Sequence, residues 1–185
     1  MTVLVTGNLG YIGSVLTPML SQRGYQVRGF DNGFFRDCLL VPVVEPPEQI
    51  VKDIRDIERE DLVGVAEIVH LAGLSNDPLG ELDESLTEAI NYDGSMRLGE
   101  LARDAGVRRL VYASSQSMYG RADAGAELEE DTSEKNPLTS YARTKWETEQ
   151  GLLALRSPGF EVTALRPSTV YGASPRLRCD IVFNN

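Results

Sequence analysis

Tyr141 and Lys145 stand one helical turn apart in the run Thr139-Ser140-Tyr141-Ala142-Arg143-Thr144-Lys145-Trp146. On a helix both side chains leave the same face. An ammonium beside a phenol stabilises the phenolate and draws the tyrosine pKa down from about 10, toward the range useful for proton transfer. Taken alone, such a pair more often means a surface tyrosine over a solvated lysine. Two further segments change that meaning. Thr6-Gly7-Asn8-Leu9-Gly10-Tyr11-Ile12-Gly13 is a glycine-rich turn, and Ala113-Ser114-Ser115-Gln116-Ser117-Met118-Tyr119-Gly120 is rich in hydroxyls. A phosphate-cradling turn, a serine and a Tyr/Lys pair, in that order, point to hydride transfer with a bound nicotinamide.

Each glycine has a separate task. Gly7 allows the tight turn, Gly10 lets a pyrophosphate approach the backbone, and Gly13 permits close helix–strand packing. The following helix offers N–H donors and its positive end to phosphates. Asp31 ends the second apolar run. A carboxylate there can accept bonds from the adenosine ribose and would repel a 2′-phosphate, which favours NAD over NADP. The alternative is that Asp31-Asn32-Gly33 is only a turn. Arg28 and Arg36 lie nearby, but neither displaces the acid from the strand end. Ser115 falls just past a strand and could bond a reacting oxygen beside Tyr141. Ser114, Gln116 and Ser117 compete for that role, and serines after strands are often turn residues or caps. The single histidine, His70, lies within an apolar strand and reads as a packed, hydrogen-bonded residue. No His/Asp/Glu/Cys cluster has metal-ligand spacing, so no metal is expected. Glu127, Glu129, Glu130 and Asp131 read as a solvated loop.

These residues must be positioned by elements, and the pattern supplies them. Short apolar runs alternate with longer amphipathic ones. Strands are expected at Val3–Thr6, Val27–Phe30, Ile50–Val51, Ile68–Leu71, Arg109–Ala113 and Val162–Leu165. Helices are expected over Tyr11–Arg23, ended by Gly24; over Ser85–Ala105, stopped by Gly106; and over about Leu138–Leu155. Pro18 should kink the first or leave one bond unmade. Residues 34–49 and 121–136 read as mostly irregular. Such alternation indicates an α/β protein with a parallel sheet covered on both faces.

At 185 residues, one domain with a buried core is the prior. Lys+Arg number 18 against 28 Asp+Glu, a formal net charge of -10, which argues against a nucleic-acid partner. Cys38 and Cys179 are too few for a disulfide framework, and a reduced, cytoplasmic setting is expected. No apolar run approaches the ~20 residues of a membrane span. The run Ile181-Val182-Phe183-Asn184-Asn185 reads as the start of an element, so further chain is expected beyond it.

Together these residues resemble the extended short-chain dehydrogenase/reductase family, in its nucleotide-sugar epimerase/dehydratase branch. The resemblance runs through Val5-Thr6-Gly7 to Tyr11-Ile12-Gly13, Asp31-Asn32 and Asp53-Ile54-Arg55-Asp56. It continues through His70-Leu71-Ala72-Gly73, Asn91, Ser114-Ser115 to Tyr119-Gly120, Tyr141/Lys145, and Arg166-Pro167 to Val170-Tyr171-Gly172. It implies a Rossmann-type doubly wound parallel sheet with helices on both faces. Residues 1–175 would form the NAD-binding domain, and 176–185 would open a substrate-binding lobe whose remainder is missing. Family members run to about 300 residues, roughly twice the single-domain prior.

By the resemblance, NAD would be held by Gly7, Gly10, Tyr11, Ile12, Gly13, Asp31, Asn32, Ser114, Tyr141 and Pro167. Asp53 and Ile54 would contact the adenine, Leu71, Ala72 and Gly73 would line the cofactor, and Asn91 would support it from its helix. Lys145 would also hold the nicotinamide ribose. A nucleotide sugar would meet Ser115, Gln116, Ser117, Thr169, Asn185 and the segment containing Ser75 and Asn76. That last segment reads equally well as a helix-capping turn. A homodimer through helices near 85–105 and 138–155 is also implied. Two departures matter. Sugar dehydratases of this family usually place an Asp-Glu pair after the site serine or threonine. Here Gln116 and Ser117 stand there, and neither is an acid at neutral pH. Thr169 replaces a frequent Asn. The expected activity is therefore NAD-dependent epimerisation of a nucleotide sugar through a transient keto form. A dehydratase or reductase, and a non-catalytic NAD-holding protein, are the alternatives.

Overall fold

The computed structural model describes residues 1–42, 46, 48–75, 83–121, 127–176 and 178. Six strands form one sheet: β1 (Thr2–Thr6), β2 (Gln26–Asp31), β3 (Glu48–Val51), β4 (Val65–His70), β5 (Arg109–Ala113) and β6 (Glu161–Leu165). Their order is β3-β2-β1-β4-β5-β6, and every pairing is parallel. The order reverses between β1 and β4, which creates a crevice at the carboxyl ends of these strands. This is the expected Rossmann-type α/β architecture.

Successive strand residues face opposite layers, and β1 shows how both become buried. Val3 and Val5 join Val27 of β2 and pack with Leu20, which belongs to α1 (Gly13–Gln22). Leu4 faces the other way, into the larger cluster with Phe30, Ile68, Leu110 and Val162. That cluster is closed by Leu98 and Ala102 of α3 (Gly94–Asp104) and by Leu152 of α4 (Ser140–Ala154). Each of the buried Leu, Ile and Val side chains contributes roughly 2 kcal/mol by leaving water.

The helix expected over 85–105 is interrupted. It comprises α2 (Glu84–Glu88), a π turn (Ala89–Asp93) and α3. α3 ends where Gly106 adopts φ +79°, with Gly106 N–H bonded to Arg103 O and Val107 N–H to Ala102 O. That is a Schellman stop, which needs the left-handed conformation glycine provides. α1 runs through Pro18, whose missing N–H leaves one backbone bond unmade. No described helix is long and apolar enough to cross a membrane.

Candidate active site

The glycine-rich turn joins β1 to α1 at the crevice. Gly7 has φ +71°, and a Cβ there would lie 2.7 Å from Ala72 N and 2.9 Å from Leu71 C. A Cβ on Gly13 would meet Gly7 O at 2.2 Å and Asn8 Cα at 2.6 Å. Both glycines are therefore required by close backbone packing, one against the loop after β4 and one within the turn. Gly10 N–H bonds to Gly7 O at 3.1 Å and tightens the curve. α1 begins at Gly13 with Ile12 as its cap residue and no side chain capping it. Backbone carbonyls take its first donors, Ser14 N–H bonding to Gly10 O at 2.9 Å and Val15 N–H to Ile12 O at 3.1 Å, while the positive end of the helix dipole faces the turn.

Asp31 lies at the end of β2 beside this turn. Its carboxylate accepts Leu9 N–H at 3.2 Å and Gly33 N–H at 2.8 Å. Asn32 is exposed, and its side-chain oxygen accepts Phe34 N–H at 3.1 Å. Beneath the turn, Asn8 and Gln49 exchange amide bonds of 2.8 and 3.3 Å. Gly29 leaves room for that pair, since a Cβ there would lie 2.2 Å from Gln49 Oε1 and 2.5 Å from Asn8 Nδ2. Asn8, Gly29 and Gln49 were not among the expected site residues. A small residue within an apolar strand was the available signal.

Asp53 caps the short turn Ile54–Asp56 and binds Arg55 through its backbone N–H and guanidinium, all at 2.9 Å. The Arg55 hydrogen bond holds the Asp53 carboxyl below its usual range. The Ile54 side chain is buried in the larger core.

The loop after β4 is fixed from below. Thr6 Oγ1 accepts Leu71 N–H at 3.2 Å and Ala72 N–H at 3.3 Å, and lies 2.6 Å from His70 Nδ1. His70 Nε2 lies 2.7 Å from Ser95 Oγ. The Thr6 hydroxyl, already accepting twice, donates to His70 Nδ1. His70 Nε2–H then donates to Ser95. Burial, and secondarily Lys145, push the His70 pKa down to about 3. His70 is thus a neutral packed residue, as its apolar surroundings indicated. Asn91 sits in the π turn and is buried. Its side chain accepts Leu74 N–H at 2.8 Å and donates to Leu74 O at 3.0 Å. Its carbonyl accepts the Thr148 hydroxyl of α4 at 2.9 Å. A Cβ on Gly73 would lie 2.9 Å from Asn91 Oδ1 and 3.8 Å from Lys145 Nζ. Asn91 therefore holds the loop in place from beneath.

β5 delivers the serines and α4 delivers the Tyr/Lys pair. Lys145 is buried, and its Nζ donates to Ala113 O, the last residue of β5, at 2.8 Å. The same Nζ lies 4.8 Å from the centre of the Tyr112 ring and 5.9 Å from that of Tyr141. Burial lowers the Lys145 pKa to about 8. Ser115 Oγ accepts Ser117 N–H at 3.1 Å and the Ser117 hydroxyl at 2.8 Å. Two accepted bonds leave its own proton to offer a substrate oxygen. Ser114 Oγ is buried with no hydrogen-bond partner. Gln116 is exposed, and its N–H bonds to Pro167 O at 3.1 Å. Thr169 and Ser75 are exposed. Asn76 and Asn185 lie outside the described residues.

A second cluster braces this arrangement. Arg166 follows β6 and forms an ion pair of 2.5 Å with Glu149, which is 1% exposed. It also donates to the Tyr119 hydroxyl at 2.6 Å. The hydrogen bond to Glu149 raises the Arg166 pKa still further. Tyr141, Lys145 and Glu149 recur every fourth residue, so one helical stripe carries both the candidate Tyr/Lys pair and its brace. That spacing could have singled out Glu149.

These features fit a dinucleotide. The turn has no room for a Cβ at Gly7 or Gly13, the start of α1 faces it with no side-chain cap, an acid stands at the end of β2, and the Ser114 hydroxyl has no protein partner. Among the described residues, no group of three or more His, Cys, Asp or Glu could hold a metal. Comparison with known proteins agrees. Residues 3–182 match the model of the NAD dependent epimerase/dehydratase family. The chain is 34% identical over 183 residues to 3 beta-hydroxysteroid dehydrogenase/Delta 5-->4-isomerase of Mycobacterium tuberculosis, covering 92% of this chain and 47% of that one. Among solved structures it resembles MoeE5 in complex with UDP-glucose and NAD, with TM-score 0.78 and 32% identity over 90% of this chain and 54% of that one. It also resembles the UDP-glucose 4-epimerase of Thermus thermophilus in complex with NAD, with TM-score 0.76, 28% identity and the same two coverages. The chain spans about half the length of the curated relatives it matches. It belongs to the NAD-dependent epimerase/dehydratase family, and NAD is the cofactor of this site.

Proposed function

We propose that the protein is an NAD-dependent nucleotide-sugar epimerase, working as a cytoplasmic homodimer through the faces of α2–α3 and α4. The observation that carries this reading is the composition of the site. Ser115, Tyr141 and Lys145 stand at the carboxyl edge of β5 and on α4, while Gln116 and Ser117 occupy the positions beside Ser115. The set can move a proton and hold an oxygen, but the two residues next to Ser115 carry no carboxyl group for expelling water.

Bound NAD supplies a hydride acceptor that can return what it takes. Gly7, Gly10, Tyr11, Ile12 and Gly13 would hold its pyrophosphate, Asp31 and Asn32 its adenosine ribose, and Asp53 with the Ile54 backbone its adenine. Leu71, Ala72, Gly73, Ser114 and Pro167 would line its nicotinamide half, with Asn91 fixing the loop. Tyr141 as phenolate takes a proton from a sugar hydroxyl. Lys145 stabilises the phenolate by charge and carries further N–H donors for a ribose hydroxyl. Ser115 donates to the sugar oxygen in both its alcohol and carbonyl forms. The oxidised sugar turns over, and Tyr141 gives the proton back once the opposite face is reduced. Ser75, Gln116, Ser117 and Thr169 face the sugar nucleotide in this scheme.

A second reading is a dehydrogenase or reductase acting on another secondary alcohol, which the steroid-acting relative favours. A panel of nucleotide sugars offered to the full-length protein separates the readings. The expected product is a stereoisomer of unchanged mass. A product lighter by one water would make it a dehydratase. No turnover of sugars with turnover of a hydroxysteroid would establish the second reading.

A further inference from the structure

Beyond β6 the chain turns back across the mouth of the crevice. The Tyr11 hydroxyl donates to Gly172 O at 2.7 Å. Ser174 Oγ donates to Tyr11 O at 2.8 Å, lies 3.0 Å from Ser14 Oγ, and accepts Arg176 N–H at 3.2 Å. Leu40 N–H donates to Pro175 O at 2.9 Å. The Arg176 guanidinium lies 4.3 Å from the centre of the Phe35 ring. At the far end Arg178 donates to the Ser75 hydroxyl and carbonyl at 2.9 and 3.1 Å.

The three anchor points matter more than any one bond. Tyr11 and Ser14 belong to the turn and helix start after β1, Phe35 and Leu40 follow β2, and Ser75 follows β4. These loops bound the crevice where the strand order reverses, which is where a dinucleotide lies. Residues 172–176 are tied to the first two of these loops and Arg178 to the third, so the described contacts reach across the crevice. The two guanidinium groups are engaged by the flanking loops, Arg176 over the Phe35 ring and Arg178 on Ser75, which fixes the segment at both sides of the crevice.

The geometry points to residues 172–176, together with Arg178, as a roof over the bound NAD, latched by Ser174, so that the cofactor leaves only when the roof lifts. The inference rests on the NAD site described above and deepens the epimerase reading. An enzyme that gives the hydride back within each turnover has no need to exchange its cofactor. Ser174 is the latch because one hydroxyl meets the Tyr11 carbonyl, the Ser14 hydroxyl and the Arg176 N–H.

The test measures cofactor release from full-length protein loaded with NADH, followed by fluorescence on mixing with excess NAD. Ser174→Ala is expected to speed release by at least about tenfold, since it removes three hydrogen bonds. A second variant, Ser14→Cys/Ser174→Cys with Cys38 and Cys179 replaced by Ser, allows the latch to be closed covalently. Once oxidised to the cross-linked form, it should exchange cofactor at least about a hundredfold more slowly, and reductant should restore exchange. Unchanged release in Ser174→Ala, or undiminished exchange in the cross-linked protein, would overturn the roof. Faster association with unchanged release in Ser174→Ala would overturn it too, by showing a segment that competes with NAD. Failure of the unaltered protein to bind NADH at all would strike the cofactor site itself, a separate result. If the cysteine pair does not close, the Ser174→Ala release rate decides alone.

Discussion

In the proposed mechanism Tyr141 acts as a base only while Lys145 is charged, and Lys145 holds its proton weakly. Burial lowers its pKa to about 8, so the ammonium is lost just above neutral pH. The pH profile of kcat/KM should therefore fall on its alkaline side near that value, and Lys145→Met should remove this limb together with most of the rate. Tyr141→Phe keeps the ring but removes the ionisable oxygen. We expect it to lower kcat by roughly 10³-fold or more while leaving NAD affinity nearly unchanged. Single-turnover kinetics beside a cofactor titration check both halves, and near-normal turnover would mean that another group is the base. Asp31 permits a third test at this scale. NAD should bind far more tightly than NADP, because in the proposed site the Asp31 carboxylate meets the adenosine ribose and would repel a 2′-phosphate; calorimetric titration of both cofactors decides it.

The elements set these residues at their distances, and most of them were legible in advance. The apolar runs gave all six strands, because a parallel strand buried on both faces reads as a continuous hydrophobic stretch. β3 and β4 each begin before the expected residue, since ladder pairing continues past the point where hydrophobicity fades. The π turn was not legible. Residues 85–105 keep helical spacing, and the turn exists because Asn91 is drawn to Leu74 and Thr148, contacts distant in sequence. The placement of the Tyr/Lys pair on one helix, of the glycines in a strand–helix turn and of Ser115 just past β5 could be read because the spacing is local. The Glu149–Arg166 brace and the amide pair under Gly29 depend on tertiary contact, so only weak signals marked them. The brace gives its own prediction. Glu149→Gln leaves Arg166 without its buried charge partner and should destabilise the protein by about 3 kcal/mol. Urea unfolding checks this, and a loss below about 1 kcal/mol, the range of exposed pairs, would show that the pair contributes little.

Across the whole molecule, the buried polar relay through Thr6, His70 and Ser95 couples stability to pH. The folded pKa of His70 is about 3, against an ordinary value of 6.5. Between these values the unfolded chain binds the extra proton, so stability falls as pH drops from about 6.5 toward 3. Between pH 7 and pH 5 the loss from this group should be about 2 kcal/mol. His70→Gln should be less stable at pH 7 yet lose that much less over the same interval, as urea unfolding at the two pH values would show. An equal loss in both proteins would mean that His70 is not held neutral. The larger claim is that the site moves a hydride out and back without net oxidation or loss of water. The most direct measurement uses a nucleotide sugar carrying deuterium on every ring carbon, offered to the full-length protein. Mass spectrometry of the separated products, with NADH followed by absorbance, reads the outcome. The account expects a new stereoisomer with all its deuterium and no accumulating NADH. A product lighter by water, or NADH rising in step with product, would contradict it.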